Sequence, residues 1–165
     1  MDVFIRVPSP IGELLLTGNG AALTGVHMPP HDRLLRKDAG EAADDPLLAM
    51  AVAQLRAYFE GSLMRFSLPL AAPGTSFQRS VWKALEEIPY GSTRSYGAVA
   101  AAIGAPAASR AVGLANGRNP IAVVVPCHRV IGANGSLTGY GGGLERKAWL
   151  LDHERRHAPG AGPCP

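Results

Sequence analysis

Cys127 and His128 are adjacent in the run Pro126-Cys127-His128-Arg129-Val130, and a thiol beside an imidazole is a pairing that supports nucleophilic chemistry. The only other cysteine is Cys164, next to the C-terminus. A free thiol with a pKa of about 8.5 is mostly protonated at neutral pH, so attack by Cys127 needs a group that takes or shares its proton. His128 is the obvious partner. Neighbouring side chains of a strand point to opposite faces, so sequence adjacency alone does not bring the two groups together, and the backbone should leave strand geometry at this pair. The competing reading of Cys127 is a buried small hydrophobe with no chemical role.

The elements around the pair set its position. The apolar run 121–125 reads as a buried strand leading into it, and the glycine-rich run 139–143 as a loop following it. Upstream, Thr75 with Gln78 forms a capping-box pattern that opens a helix with Phe77, Val81 and Leu85 on one face. Pro89-Tyr90-Gly91 ends that helix. Ser95 caps a short helix to Ile103, Gly104-Ala105-Pro106 breaks it, and a further helix runs to about Asn116, which reads as a helix-turn-helix. A last helix is expected from Leu144 to about Arg155.

The first half differs. Val3, Ile5 and Val7 alternate, and 14–17 and 23–28 read as two more strands joined through Gly18-Asn19-Gly20. The polar segment 29–45 is expected to be a long loop. Asp45 and Pro46 then start a helix that ends before Gly61, with Leu48, Val52, Leu55 and Phe59 on the face packed against the strands. Residues 71–74 read as a linker.

Composition narrows the function classes. At 165 residues with 47% hydrophobic content, the chain can build a real core. No apolar stretch approaches the roughly 20 residues that span a bilayer, and the start lacks the plan of a secretory signal. Two cysteines provide no disulfide framework, which points to a cytoplasmic setting. Residues 1–75 carry 6 basic and 8 acidic side chains, whereas residues 76–165 carry 10 and 5. The basic half suits a polyanionic partner.

Together these pieces resemble the O6-alkylguanine-DNA alkyltransferase family. The resemblance is carried by Phe77-Gln78-Arg79-Ser80-Val81-Trp82, Ser95-Tyr96-Gly97, Ser109-Arg110-Ala111-Val112-Gly113 and Asn119-Pro120. It continues through the Cys127 pentapeptide, Gly139-Tyr140-Gly141-Gly142-Gly143 and Lys147-Ala148-Trp149. It implies an α/β (α+β) fold: a strand-rich, ribonuclease-H-like domain over 1–72, and a mostly helical domain over 75–156 with a winged-helix-like helix-turn-helix. A flexible tail over 157–165 is expected to follow.

The implied function is DNA repair by direct reversal: an alkyl group on guanine O6, or thymine O4, moves irreversibly to the cysteine. The resemblance makes Cys127 the nucleophile, His128 its base through a bridging water, and Glu154 the acid that orients the histidine. It makes Asn119 the tie between the recognition helix and the active-site turn. Arg110 matches the arginine that fills the space left by a flipped base, and Tyr96 the tyrosine that donates to guanine N3. Ser95, Ser109 and Arg129 join the DNA-contacting set. Backbone carbonyls at Cys127 and Val130 are expected to accept from the exocyclic amine. Tyr140, Gly141 and Gly142 form the loop over the base, with the Gly141 N–H donating to O6, and Lys147 supports that loop or is simply solvated.

The recognition helix, rich in alanine and glycine, suits a minor groove without sequence readout. The implied partner is double-stranded DNA containing O6-alkylguanine, bound by a monomer, with cooperativity along DNA left open and no cofactor. Some relatives hold zinc with two cysteines and two histidines; here no cysteine precedes Cys127, so His27 and His31 are expected to hold no metal. Three other readings compete. They are a non-enzymatic relative, which would lack the cysteine; a redox-sensing transcription regulator, which would need base-reading side chains; and a cysteine hydrolase, which would need an oxyanion hole.

Overall fold

The protein is described by a computed structural model covering residues 2–31 and 39–159. Three five-residue strands, β1 (Val3–Val7), β2 (Leu14–Gly18) and β3 (Leu23–His27), form an antiparallel meander. The two-residue β4 (Gly40–Glu41) adds in parallel to β1, giving the sheet order β3-β2-β1-β4. The expected loop over 29–45 therefore contains a strand, while its residues 32–38 lie outside the described ones.

Helix α1 (Pro46–Phe59) begins where expected, with the Asp45 carboxylate accepting from the Leu48 N–H at 2.9 Å and proline in its first turn. Its buried side chains include Leu48, Val52 and Leu55, and the last turn is sealed by Tyr58, fully buried, rather than by Phe59. Tyr58 packs against the Phe66 ring at 5.5 Å, which explains why it takes the inward position.

Helix α2 (Ser76–Glu86) carries the complete capping box: the Thr75 hydroxyl accepts from the Gln78 N–H, and the Gln78 side chain accepts from the Thr75 N–H. Val81, Trp82 and Leu85 form its buried stripe. The two-residue β5 (Arg94–Ser95) leads into α3 (Tyr96–Ala102), capped by Ser95. Helix α4 (Ser109–Gly117) completes the helix-turn-helix. A single 3₁₀ turn spans Cys127–Arg129, β6 (Val130–Ile131) pairs in parallel with β5, and α5 (Leu144–His157) ends the described fold. Beyond it, residues 160–165, including Cys164, lie outside the described ones.

The expected strand over 121–125 is not one. Ile121 makes a lone bridge to Val26, and the chain then turns at once, with the Val124 N–H donating to the Ala122 carbonyl at 2.8 Å around Val123. Val123 has φ 70°, a conformation that a β-branched residue adopts only under strain. Apolar composition identified this run as buried, but burial alone does not make a strand. The chain divides into two compact units: Met1–Pro73 with Pro120–Val124, and Gly74–Asn119 with Val125–Pro165. The proposed chemistry lies in the second.

Candidate active site

Cys127 opens the 3₁₀ turn, so its side chain and that of His128 are not splayed as on a strand. Its N–H donates to the Val125 carbonyl at 2.8 Å. Its own carbonyl accepts from the Val130 N–H and from Asn116 Nδ2 at 3.2 Å. Both lone pairs of that oxygen are thus used inside the protein. An exocyclic amine reaching this oxygen would share it with those two donors. Asn119 Nδ2 donates to the Val125 carbonyl at 2.8 Å, tying the end of the helix-turn-helix to the active-site turn as expected.

The thiol is buried. Burial pushes its pKa above the ordinary value, with the Asn119 side chain and the Lys147 charge acting against that rise. At rest Cys127 is therefore a thiol, not a thiolate. Tyr140 lies beside it; burial and the neighbouring sulfur raise the phenol's pKa, and its hydroxyl has no hydrogen bond of normal geometry.

His128 is fully buried, and its Nε2 lies 2.6 Å from Glu154 Oε2. Burial would raise the Glu154 carboxyl, but hydrogen bonds and charge from His128 and Arg129 hold it well below the usual carboxylate range. Arg129 supplies Nε to Oε1 at 2.8 Å and Nη2 to Oε2 at 3.0 Å, and the Gly91 N–H adds a bond to Oε1 at 3.2 Å. An ionised carboxylate only accepts, so the proton between the pair sits on Nε2. Burial also lowers the His128 pKa, against the pull of Glu154, leaving the imidazole neutral. Its Nδ1 is then the basic nitrogen, buried with no protein partner among the described residues.

The remaining expected residues fall in several places. Arg129, expected against DNA, is instead buried; its Nη1 also donates to the Ile88 carbonyl at 2.6 Å, so its guanidinium is committed to the interior. Ser95 accepts from the Ala98 N–H as the α3 cap. Val130 is buried in β6. Ser109 and Arg110 are exposed on the first turn of α4. Tyr96 donates to the Thr138 carbonyl at 3.0 Å. Lys147 is fully buried rather than solvated, and its Nζ donates to the same carbonyl at 2.7 Å. Gly142 accepts from Arg146, and a Cβ on Gly141 would lie 3.2 Å from the Gly117 carbonyl, so the loop passes close to the end of α4.

The descriptions "6-O-methylguanine DNA methyltransferase, ribonuclease-like domain" and "6-O-methylguanine DNA methyltransferase, DNA binding domain" match residues 4–72 and 76–156. The chain belongs to the 6-O-methylguanine DNA methyltransferase family. It is similar to the methylated-DNA–protein-cysteine methyltransferase of Mycolicibacterium paratuberculosis, at 56% identity over 96% of each chain. It is also similar to the constitutive enzyme of Bacillus subtilis, at 46% identity over 94% of this chain and 96% of that one. The solved Mycobacterium tuberculosis OGT in complex with DNA superposes with a TM-score of 0.87, at 53% identity over 96% of each chain.

Sequence reasoning missed three members of this methyltransferase site. Asn116 grips the Cys127 carbonyl, Thr138 gathers Tyr96 and Lys147, and Trp82 Nε1 donates to the Ala115 carbonyl at 2.8 Å to fix α4. One available signal was overlooked: no aspartate or glutamate occurs between Glu87 and Glu145, a stretch that includes both helices of the helix-turn-helix.

Proposed function

We propose that the chain repairs alkylated DNA by moving the alkyl group of guanine O6, and of thymine O4, onto the Cys127 sulfur, once per molecule. The observation that carries this reading is the buried His128–Glu154 pair next to Cys127. The imidazole's Nε2 proton is held by Glu154, and its basic Nδ1 is left buried beside the turn that bears the thiol.

Because burial keeps Cys127 protonated, the proton must leave as the sulfur attacks. It passes through a water to Nδ1, and the Glu154–Arg129 pair offsets the charge that develops on the ring. The S–C bond forms, the C–O6 bond breaks, and the electron pair remains on guanine. The proton is then returned to the base, which regains its keto form. The Gly141 N–H donates to O6 as charge collects there. Tyr96 turns its hydroxyl from Thr138 to N3, and the Cys127 and Val130 backbone carbonyls accept from the exocyclic amine.

The damaged base must first leave the stack. Arg110 enters the vacated space from the minor groove, with the protein acting as a monomer and without a cofactor. A reduced, unpaired thiol fits a cytoplasmic setting. Cooperative loading along DNA would show as a sigmoidal binding isotherm on long duplexes.

Stoichiometry tests the reading. With O6-methylguanine duplex in excess, guanine formed should equal protein added, and the protein should then be spent. Continued turnover by one protein sample would overturn it.

A further inference from the structure

Helix α4 presents a face that its own fold does not use. Arg110, Leu114 and Arg118 follow one another at intervals of four, so they stand in line on one side of the helix. All three are exposed, and neither guanidinium has a partner among the described residues. Leu114 is 62% exposed, more than Met50 at 47% or Leu144 at 48%.

Single exposed leucines are ordinary on protein surfaces. What distinguishes this one is its setting. Gly113 and Gly117, four residues apart, line the strip of helix surface next to it, and glycine within a helix costs about 0.5–1 kcal/mol relative to alanine. Internal crowding does not account for either glycine. A Cβ at Gly117 would meet nothing within 4 Å, and one at Gly113 would make ordinary contact with the Tyr96 ring at 3.7 Å. The open backbone beside Leu114 thus suits the close approach of an external surface. No acidic side chain occurs from 88 to 144, so that surface meets no negative charge from α3, α4, the active-site turn or the glycine loop.

We infer that Leu114 is a second DNA-engaging side chain of α4. It is an apolar wedge pressed into the minor groove one helical turn from Arg110, and Arg118 holds a flanking phosphate. The inference rests on the minor-groove docking proposed above and assigns it a division of labour. Arg110 fills the vacated base position, Leu114 props the adjoining step open, and Gly113 and Gly117 let the helix backbone come near enough for both. Proteins that bend DNA from the minor groove commonly use leucine in this way.

The test compares two substrates: a duplex containing O6-methylguanine, and free O6-benzylguanine, which needs no base flipping. Leu114→Ala should slow transfer from the duplex about tenfold, the scale expected when one leucine loses its burial. Transfer from the free base should fall by less than about twofold, and Leu114→Met should restore the duplex rate. Arg118→Gln should lower the slope of log affinity against log salt by about one, whereas Leu114→Ala should leave it unchanged.

Equal rates on the duplex for wild type and Leu114→Ala would overturn the inference, as would equal losses on both substrates. So would a Leu114→Ala effect confined to self-association in sedimentation. If the wild type itself transfers nothing from the duplex, the underlying function is what fails.

Discussion

Nε2 of His128 lies 2.6 Å from Oε2 of Glu154, and neither residue is more than 1% exposed. The carboxylate is surrounded by donors: besides the imidazole it receives two bonds from Arg129 and one from the Gly91 backbone. A lone buried charge would be costly, and here arginine and glutamate offset one another while the histidine stays neutral. The arrangement fixes the tautomer, and the tautomer fixes which nitrogen can act as base.

Removing the charge should expose this dependence. Glu154→Gln keeps the side-chain volume but leaves the Arg129 guanidinium buried without its counter-ion, so unfolding should become easier by about 3–5 kcal/mol. Urea denaturation checks this. In protein that remains folded, transfer to Cys127 should slow, because a glutamine no longer favours the charged imidazole.

Stability should fall on the acid side in two stages. Burial holds His128 below its ordinary value of 6.5, so the unfolded chain takes up that proton first as pH falls. The stabilisation is complete above about 6.5 and is lost below it. Glu154, held below its ordinary 4.5, contributes stability above that value, lost as pH falls toward its depressed folded pKa. Cys127, raised by burial, acts in the opposite sense: its contribution is present below the thiol's ordinary value and lost as pH rises through the folded one. Thermal melts from about pH 8 to about pH 4 should show a monotonic decrease; a protein that gains stability across that interval would contradict the neutral His128.

The two asparagine ties should be separable. Asn116→Leu removes the donor to the Cys127 carbonyl, and Asn119→Ala the donor to the Val125 carbonyl. Each carbonyl keeps one backbone N–H donor and loses its second bond, at a cost of about 0.5–1.5 kcal/mol. Because Asn119 also acts to lower the thiol pKa, only Asn119→Ala should shift the pH profile of Cys127 alkylation by iodoacetamide upward.

Arg110→Ala should weaken repair of duplex DNA more than transfer from free O6-benzylguanine. The arginine is exposed at the start of α4 and takes no part in the thiol's surroundings. Equal losses on the two substrates, measured as second-order rate constants, would contradict its role in base flipping.

Local signals were readable where the physics is local. The Thr75–Gln78 box, the Asp45–Pro46 start and the Ser95 cap each rest on side chains within three residues of the groups they satisfy. The failures share a different cause. β4 is two residues long and exists only because β1 is there to pair with. The 121–125 run has strand composition, but Val123 turns it away after one bridge. Lys147 reads equally as loop support or as solvated until the chain folds back and brings the Thr138 carbonyl to its ammonium. Arg129 sits in a motif suited to DNA, yet its geometry turns it onto Glu154 and Ile88. Asn116 stands among small helix residues, and its partner is a backbone oxygen that leaves no mark in sequence.

The central claim concerns the fate of the Cys127 sulfur, and intact-mass and peptide mass spectrometry after incubation with O6-methylguanine duplex measures it directly. The account predicts one added methyl group, located at Cys127, and none in Cys127→Ser. An unmodified protein, or a methyl group at Cys164, would contradict it.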